Sequence, residues 1–250
     1  MTLFDDTIKQ INKFADQKAD TRSFCRMQAS DAPVWPSGGD RDVVLRGDTA
    51  LELGGPKADS FALLLWTDNP DLVTDGRITR IGPDFNAVDT MNAAFARVLI
   101  VCGSDFDETN AYERFVELSL IAYEVSLKGY MMRTASQQNK EWVRISREAL
   151  ERGFDANALG RALVDACCCK DYVTAAETVM VVGDAAAVAT LRDTGANALQ
   201  YISAMRKMAE EMTFDCNSCE YQSVCDGVSE LKAMAARLEQ QKRNAGGTNG

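Results

Sequence analysis

Apolar positions along this chain recur at two different periods. Residues 6–14 place Ile8, Ile11 and Phe14 three apart, which predicts an N-terminal helix. Residues 29–48 carry Pro33, Pro36, Ser37, Gly38 and Gly39 and read as a loop. Four strand-like runs follow, at 50–53, 61–66, 77–81 and 97–102. The second is apolar throughout, as for a strand buried on both faces. Asp75-Gly76 fits a tight turn between the second and third runs.

Beyond residue 103 the helical period dominates. A long apolar face at 109–129 predicts a helix, and Met131-Met132 and the series Met205, Met208 and Met212 read as helix packing. Residues 141–146 alternate Trp142, Arg144 and Ser146 against Val143 and Ile145, the pattern of a strand. A short helix at 147–152 closes on Gly153. A helix at 157–169, a strand at 178–182 and helices at 185–191 and 197–212 complete the body. A polar loop at 215–226, an amphipathic helix at 228–242 and a tail at 244–250 end the chain. Strands and helices mix without strict alternation. The expected class is therefore α+β: a mixed sheet with packed helices, a metal-binding cysteine loop and a C-terminal helix. The expected division is 1–48 (helix and loop), 49–212 (α+β body) and 213–250 (cysteine loop, helix and tail).

Composition narrows the function classes. A net charge of −10 and a pI near 4.7 argue against nucleic acid or an anionic membrane as partner, since both require a basic surface. No stretch approaches 18 apolar residues. Residues 1–20 carry acids and no basic start, so they do not read as a signal peptide, and a reducing, cytoplasmic location is expected. Histidine is missing altogether, which excludes Ser-His and Cys-His couples and His-ligated zinc or haem. Proton transfer would fall to carboxylates, Lys, Tyr, Cys or a cofactor.

Eight cysteines remain. In a reducing compartment, clustered cysteines bind metal or do redox chemistry more often than they form disulfides. Cys216, Cys219 and Cys225 form Cys-x2-Cys-x5-Cys within a polar stretch, and thiolates select zinc, copper(I) or iron–sulfur. Three ligands leave a fourth position to be filled from elsewhere. Candidates are one of Cys167, Cys168 and Cys169, or a residue of a partner subunit or of a second copy. Adjacent helical residues diverge by about 100°, so at most one of the three could aim at the site. Spacing does not decide between a [4Fe–4S] cluster and zinc.

Three further sets of residues occur in order along the chain: Glu52-Leu-Gly-Gly55 with Phe61, Asp75-Gly-Arg-Ile78 with Ile81-Gly-Pro-Asp84, and Trp142-Val-Arg-Ile-Ser146 with Arg152-Gly-Phe154. Together they resemble the motifs, in the same order, of acetyl-CoA synthase, the beta subunit of the carbon monoxide dehydrogenase/acetyl-CoA synthase complex. Cys216 and Cys219 fall where the family begins its cluster ligands. The resemblance implies that Cys216, Cys219 and Cys225 ligate a [4Fe–4S] cube, in a family that joins a methyl group, carbon monoxide and CoA at an adjoining dinickel centre. Trp142, Arg144 and Ser146 could line a CoA cleft, although strand alternation explains them equally well. The family's third cluster cysteine lies further downstream than Cys225, and its later Cys-Gly-Cys has no counterpart in this sequence. The expectation is a shortened relative without a complete dinickel site. Whether it is catalytic or a zinc- or cluster-stabilised partner-binding or assembly protein stays open.

Overall fold

The computed structural model describes residues 2–21, 23–39, 43–104, 106–107, 110–133, 139–210 and 219–246. The expected α+β class is what they form. Helix α1 (Asp5–Gln17) buries Ile8, Ile11 and Phe14, the three residues that predicted it. The larger sheet takes β1 (Phe24–Gln28), β3 (Ser60–Thr67), β4 (Arg77–Ile81), β6 (Phe95–Gly103) and β9 (Val173–Val182), in the order β1-β4-β9-β6-β3. The smaller takes β2 (Thr49–Leu53), β5 (Asn92–Ala93), β7 (Tyr130–Met132) and β8 (Val143–Ser146), in the order β5-β2-β8-β7.

Helices cover both faces of the larger sheet. α4 (Ala156–Cys168) lies over β9 and β4, where Gly160 approaches Ile78 and Met180. α1 lies on the opposite face, where Asn12 accepts from the Arg77 guanidinium at 3.1 Å. Arg77 in turn grips the fully buried Glu177 of β9, with Nε 2.7 Å from Oε2 and Nη2 2.9 Å from Oε1. α2 (Ala111–Glu124), α5 (Ala185–Thr194) and α6 (Ala196–Glu210) enclose the β3 side. β3 is therefore buried along almost its whole length although it ends the sheet. Fully burying a Leu, Ile or Phe contributes about 1.5–3 kcal/mol. β6 is buried at all nine positions.

Several expected elements differ. The turn at Asp75-Gly76 does not join two paired strands, because β3 pairs in parallel with β6 while β4 sits between β1 and β9. The Gly76 N–H donates instead to Ala176 O at 2.9 Å. A local turn signal reverses the chain, but it does not choose the neighbour. The helix expected to run to residue 129 stops at Glu124, where Val125 turns extended, and Met131 and Met132 lie on strand β7. The stop is tertiary: the loop at 35–38 pairs with 126–128 through Gly38 N to Ser126 O, Lys128 N to Pro36 O and Trp35 Nε1 to Lys128 O. β9 starts five residues ahead of the expected strand, in an Ala-Ala-Glu stretch of poor β propensity that is fixed by pairing with β6. β1 has no apolar run and holds one neighbour, β4.

Two glycines of the quoted motifs are required by close backbone approach. Gly54 has φ +64°, and a Cβ there would lie 2.0 Å from Glu141 O. Gly82 has φ +101°, and a Cβ there would lie 1.9 Å from Val182 O. Gly54→Ala is expected to cost about 2–4 kcal/mol, from left-handed strain plus displaced backbone. The urea midpoint reads this directly, and a midpoint within experimental error of the parent would refute the account.

Candidate functional site

The structure describes Cys219 and Cys225 and not Cys216, which lies outside the described residues. Cys219 opens a tight turn in which the Gln222 N–H donates to Cys219 O at 3.1 Å and the Tyr221 N–H lies 3.4 Å from Cys219 Sγ. Cys225 sits on the short helix α7 (Gln222–Asp226), so the expected loop is helical here. Five residues are too few to give a periodic signal in sequence. Burial pushes the Cys225 thiol up, and the nearby Cys219 sulfur and Asp226 add to this. Both cysteines are half-buried.

The turn is anchored to the body. α8 (Ser229–Gly246) buries Leu231, Met234 and Ala235 and packs against α6 and α7. Thr2 Oγ1 lies 3.0 Å from Glu230 Oε1, which ties the start of α8 to the N-terminus. Lys207 of α6 pairs with Glu220 at 3.1 Å. The two described sulfurs are soft donors, Cys219 in the turn and Cys225 on the helix that follows it, and a backbone N–H directed at a ligating sulfur stabilises thiolate charge. In chemical type they fit a zinc or iron–sulfur centre.

The structure does not bring Cys167, Cys168 or Cys169 to that turn. Among the described residues, no three His, Cys, Asp or Glu side chains are grouped to hold a metal, so none of the three joins Cys219 and Cys225. Cys167 is on the buried side of α4 near Arg97, and its thiol is pushed up to about 12, chiefly by burial. Cys168 is exposed, 3.9 Å from Asp75 Oδ1, and its thiol is pushed up to about 11 by partial burial and then by Asp75. Cys169 caps α4 beside Lys170. Cys102 is core, and Cys25 Sγ lies 3.9 Å from Asn157 Oδ1.

The motif residues converge elsewhere, on the seam between the two sheets. Glu52 accepts from Arg144 Nε at 2.6 Å across β2 and β8. Arg133 and Arg144 flank the Trp142 ring at 4.8 and 5.7 Å. Ser146 caps α3 (Arg147–Glu151) by accepting from Ala149 N at 3.1 Å, which gives it a structural role. Ser60 Oγ both donates to Glu141 O at 2.7 Å and accepts from Glu141 N at 2.8 Å. The Glu141 side chain reaches Arg97 on β6, with Oε2 2.5 Å from Nε. Burial raises the Glu141 carboxyl against the opposing pull of Arg97. Desolvation works against the Arg97 charge, but Glu141 holds it above its ordinary value.

Arg97 and Glu141 carry this buried pair, and the sequence reading gave neither a role. The available signal was one arginine inside an apolar nine-residue strand, Phe95 to Gly103. A buried charge of that kind requires a partner.

Fold and site together define a mixed-sheet α+β protein with a cysteine turn beside its last helices. Residues 38–188 match the family model described as CO dehydrogenase/acetyl-CoA synthase complex beta subunit. The chain belongs to that family. It is 30% identical over 112 residues to the acetyl-CoA decarbonylase/synthase complex subunit beta of Archaeoglobus fulgidus, covering 44% of this chain and 20% of the relative. Against the protein of the same description from Methanothermobacter thermautotrophicus it is 32% identical over 114 residues, covering 45% and 23%. Against the carbon monoxide dehydrogenase/acetyl-CoA synthase subunit alpha of Moorella thermoacetica it is 28% identical over 128 residues, covering 49% and 16%. The match thus spans about a fifth of the length of these relatives. The family model's range ends ahead of Cys216, Cys219 and Cys225. No helix among the described residues is long and apolar enough to cross a membrane.

Proposed function

We propose that this protein binds an iron–sulfur cluster, of the [4Fe–4S] type, through Cys216, Cys219 and Cys225, and that it serves acetyl-CoA or one-carbon metabolism as a member of its family. The observation that carries the metal reading is the Tyr221 N–H directed at Cys219 Sγ at 3.4 Å, with the half-buried Cys225 on the helix α7 that follows the turn. Family membership supports the metabolic context. The relatives are described as subunits of complexes, which supports a protein partner. With Cys167, Cys168 and Cys169 away from the turn, the fourth ligand is proposed to come from a partner subunit or a second copy.

In this reading the chain's own residues do three things. The thiolates hold the metal, the Tyr221 N–H stabilises their charge, and α8 fixes the turn against α6. An iron–sulfur cluster, when bound, supplies electron-transfer or bridging chemistry. Zinc on the same thiolates would instead give a closed structural site and a partner-binding role without catalysis.

Metal and acid-labile sulfide content, measured on protein purified without oxygen, separates the two. About four irons and four sulfides per chain, with a broad absorption near 400 nm, is the expected result. About one zinc without sulfide would replace the cluster by a structural site. Neither metal would overturn the reading.

A further inference from the structure

A cavity of about 430 Å³ opens between α2, α6 and the paired strands β3 and β6. Leu64 and Leu99 line it from the sheet, Phe115 and Leu118 from α2, and Ile202 from α6. Arg97 and Glu141 line it as well, although 8% and 1% exposed respectively. Glu141 Oε2 is held by Arg97 Nε. The other carboxyl oxygen, Oε1, is buried and has no hydrogen-bond partner among the described residues. Buried polar atoms are nearly always partnered, because leaving one unmade forfeits its hydration without return. The guanidinium has four more N–H donors beyond Nε, set on its outer edge. Asn139, the exposed Lys140 and Arg206 also line the cavity, so its lining is polar as much as apolar, and its buried part holds one guanidinium edge and one open carboxylate oxygen.

We propose that this cavity is a small-molecule site for an aliphatic chain ending in a neutral carboxamide. The amide carbonyl accepts from the outer edge of Arg97, and the amide N–H donates to Glu141 Oε1. The pair is neutral as a unit, which selects the head group. A ligand carboxylate would meet Arg97 but place a second negative charge against Glu141. An ammonium would meet Glu141 but repel Arg97. A carboxamide offers an acceptor and a donor on adjacent atoms and adds no charge. The apolar wall accommodates the chain. This inference stands independently of the cysteine site, and loss of either leaves the other intact.

The test is a titration of isotope-labelled protein with hexanamide, hexanoate and hexylamine, followed by the amide NMR signals of Leu64, Leu99 and Phe115. Hexanamide is expected to shift them saturably, and the two charged analogues to bind at least about tenfold more weakly. Ser203→Phe places a ring in the cavity from α6 without touching the ion pair. It is expected to keep the parent's melting temperature and lose the hexanamide response. Equal or tighter binding of hexanoate, a response that survives Ser203→Phe, or no saturable shift with any of the three would overturn the proposal.

Discussion

Glu141→Gln is expected to destabilise the protein by about 3–5 kcal/mol, because it leaves the Arg97 charge buried without its counter-charge. Glu141 is 1% exposed and joins Arg97 at 2.5 Å, near the start of the larger sheet's most buried strand. Arg97→Met is expected to cost a similar amount, for the converse reason. The double variant Arg97→Met/Glu141→Gln removes both charges and their desolvation penalties, so it should cost less than either single change. Urea unfolding of the four proteins gives the coupling directly, which is expected to exceed about 2 kcal/mol. Additive costs would mean that the two groups do not act as a pair.

The same variants give a pH dependence of known sign. Burial already raises the Glu141 carboxyl in the native state, and removing Arg97 takes away the group that opposes this. A carboxyl whose folded value lies above its unfolded value binds more protons when folded. Its contribution is present below the unfolded value and lost as pH rises through the folded one. The deficit of Arg97→Met should therefore be smaller near about pH 5 than near about pH 8.

The second large effect lies at the cysteine turn. Cys219→Ser is expected to abolish metal binding while the body of the protein stays folded. Cys219 opens the turn, but it is half-buried and has no part in either sheet. The contacts that hold α8 are the buried Leu231, Met234 and Ala235, which the substitution does not touch. Metal analysis together with far-ultraviolet circular dichroism separates the outcomes. Lost metal with a retained spectrum is the expected pair of results. Lost metal with an unfolded spectrum would make the metal a structural requirement, as in small zinc domains. Retained metal would remove Cys219 from the ligand set.

The elements that the sequence by itself determined are those whose own residues carry the signal. Ile8, Ile11 and Phe14 mark α1, the apolar run at 61–66 marks β3, and Trp142 to Ser146 marks β8 by alternation, since each burial pattern is a local period. The ordered motifs also pointed to the family, and two of their glycines proved to sit where backbone crowds backbone. Tertiary structure alone decided the rest. β1 and β5 exist because a neighbouring strand completes their hydrogen bonds, and β9 crosses a stretch of weak propensity for the same reason. Strand order was illegible because partners such as β4 and β9 meet across about 100 residues, a separation that no local pattern encodes. The cysteine spacing suggested ligands, but where Cys167 to Cys169 sit depended on the packing of α4 against β9 and β4. The Arg97–Glu141 pair is decided in the same way. One arginine in an apolar strand shows that a partner must exist, and only the close approach of Gly54, Ser60 and Glu141 at the seam of the two sheets shows which residue it is.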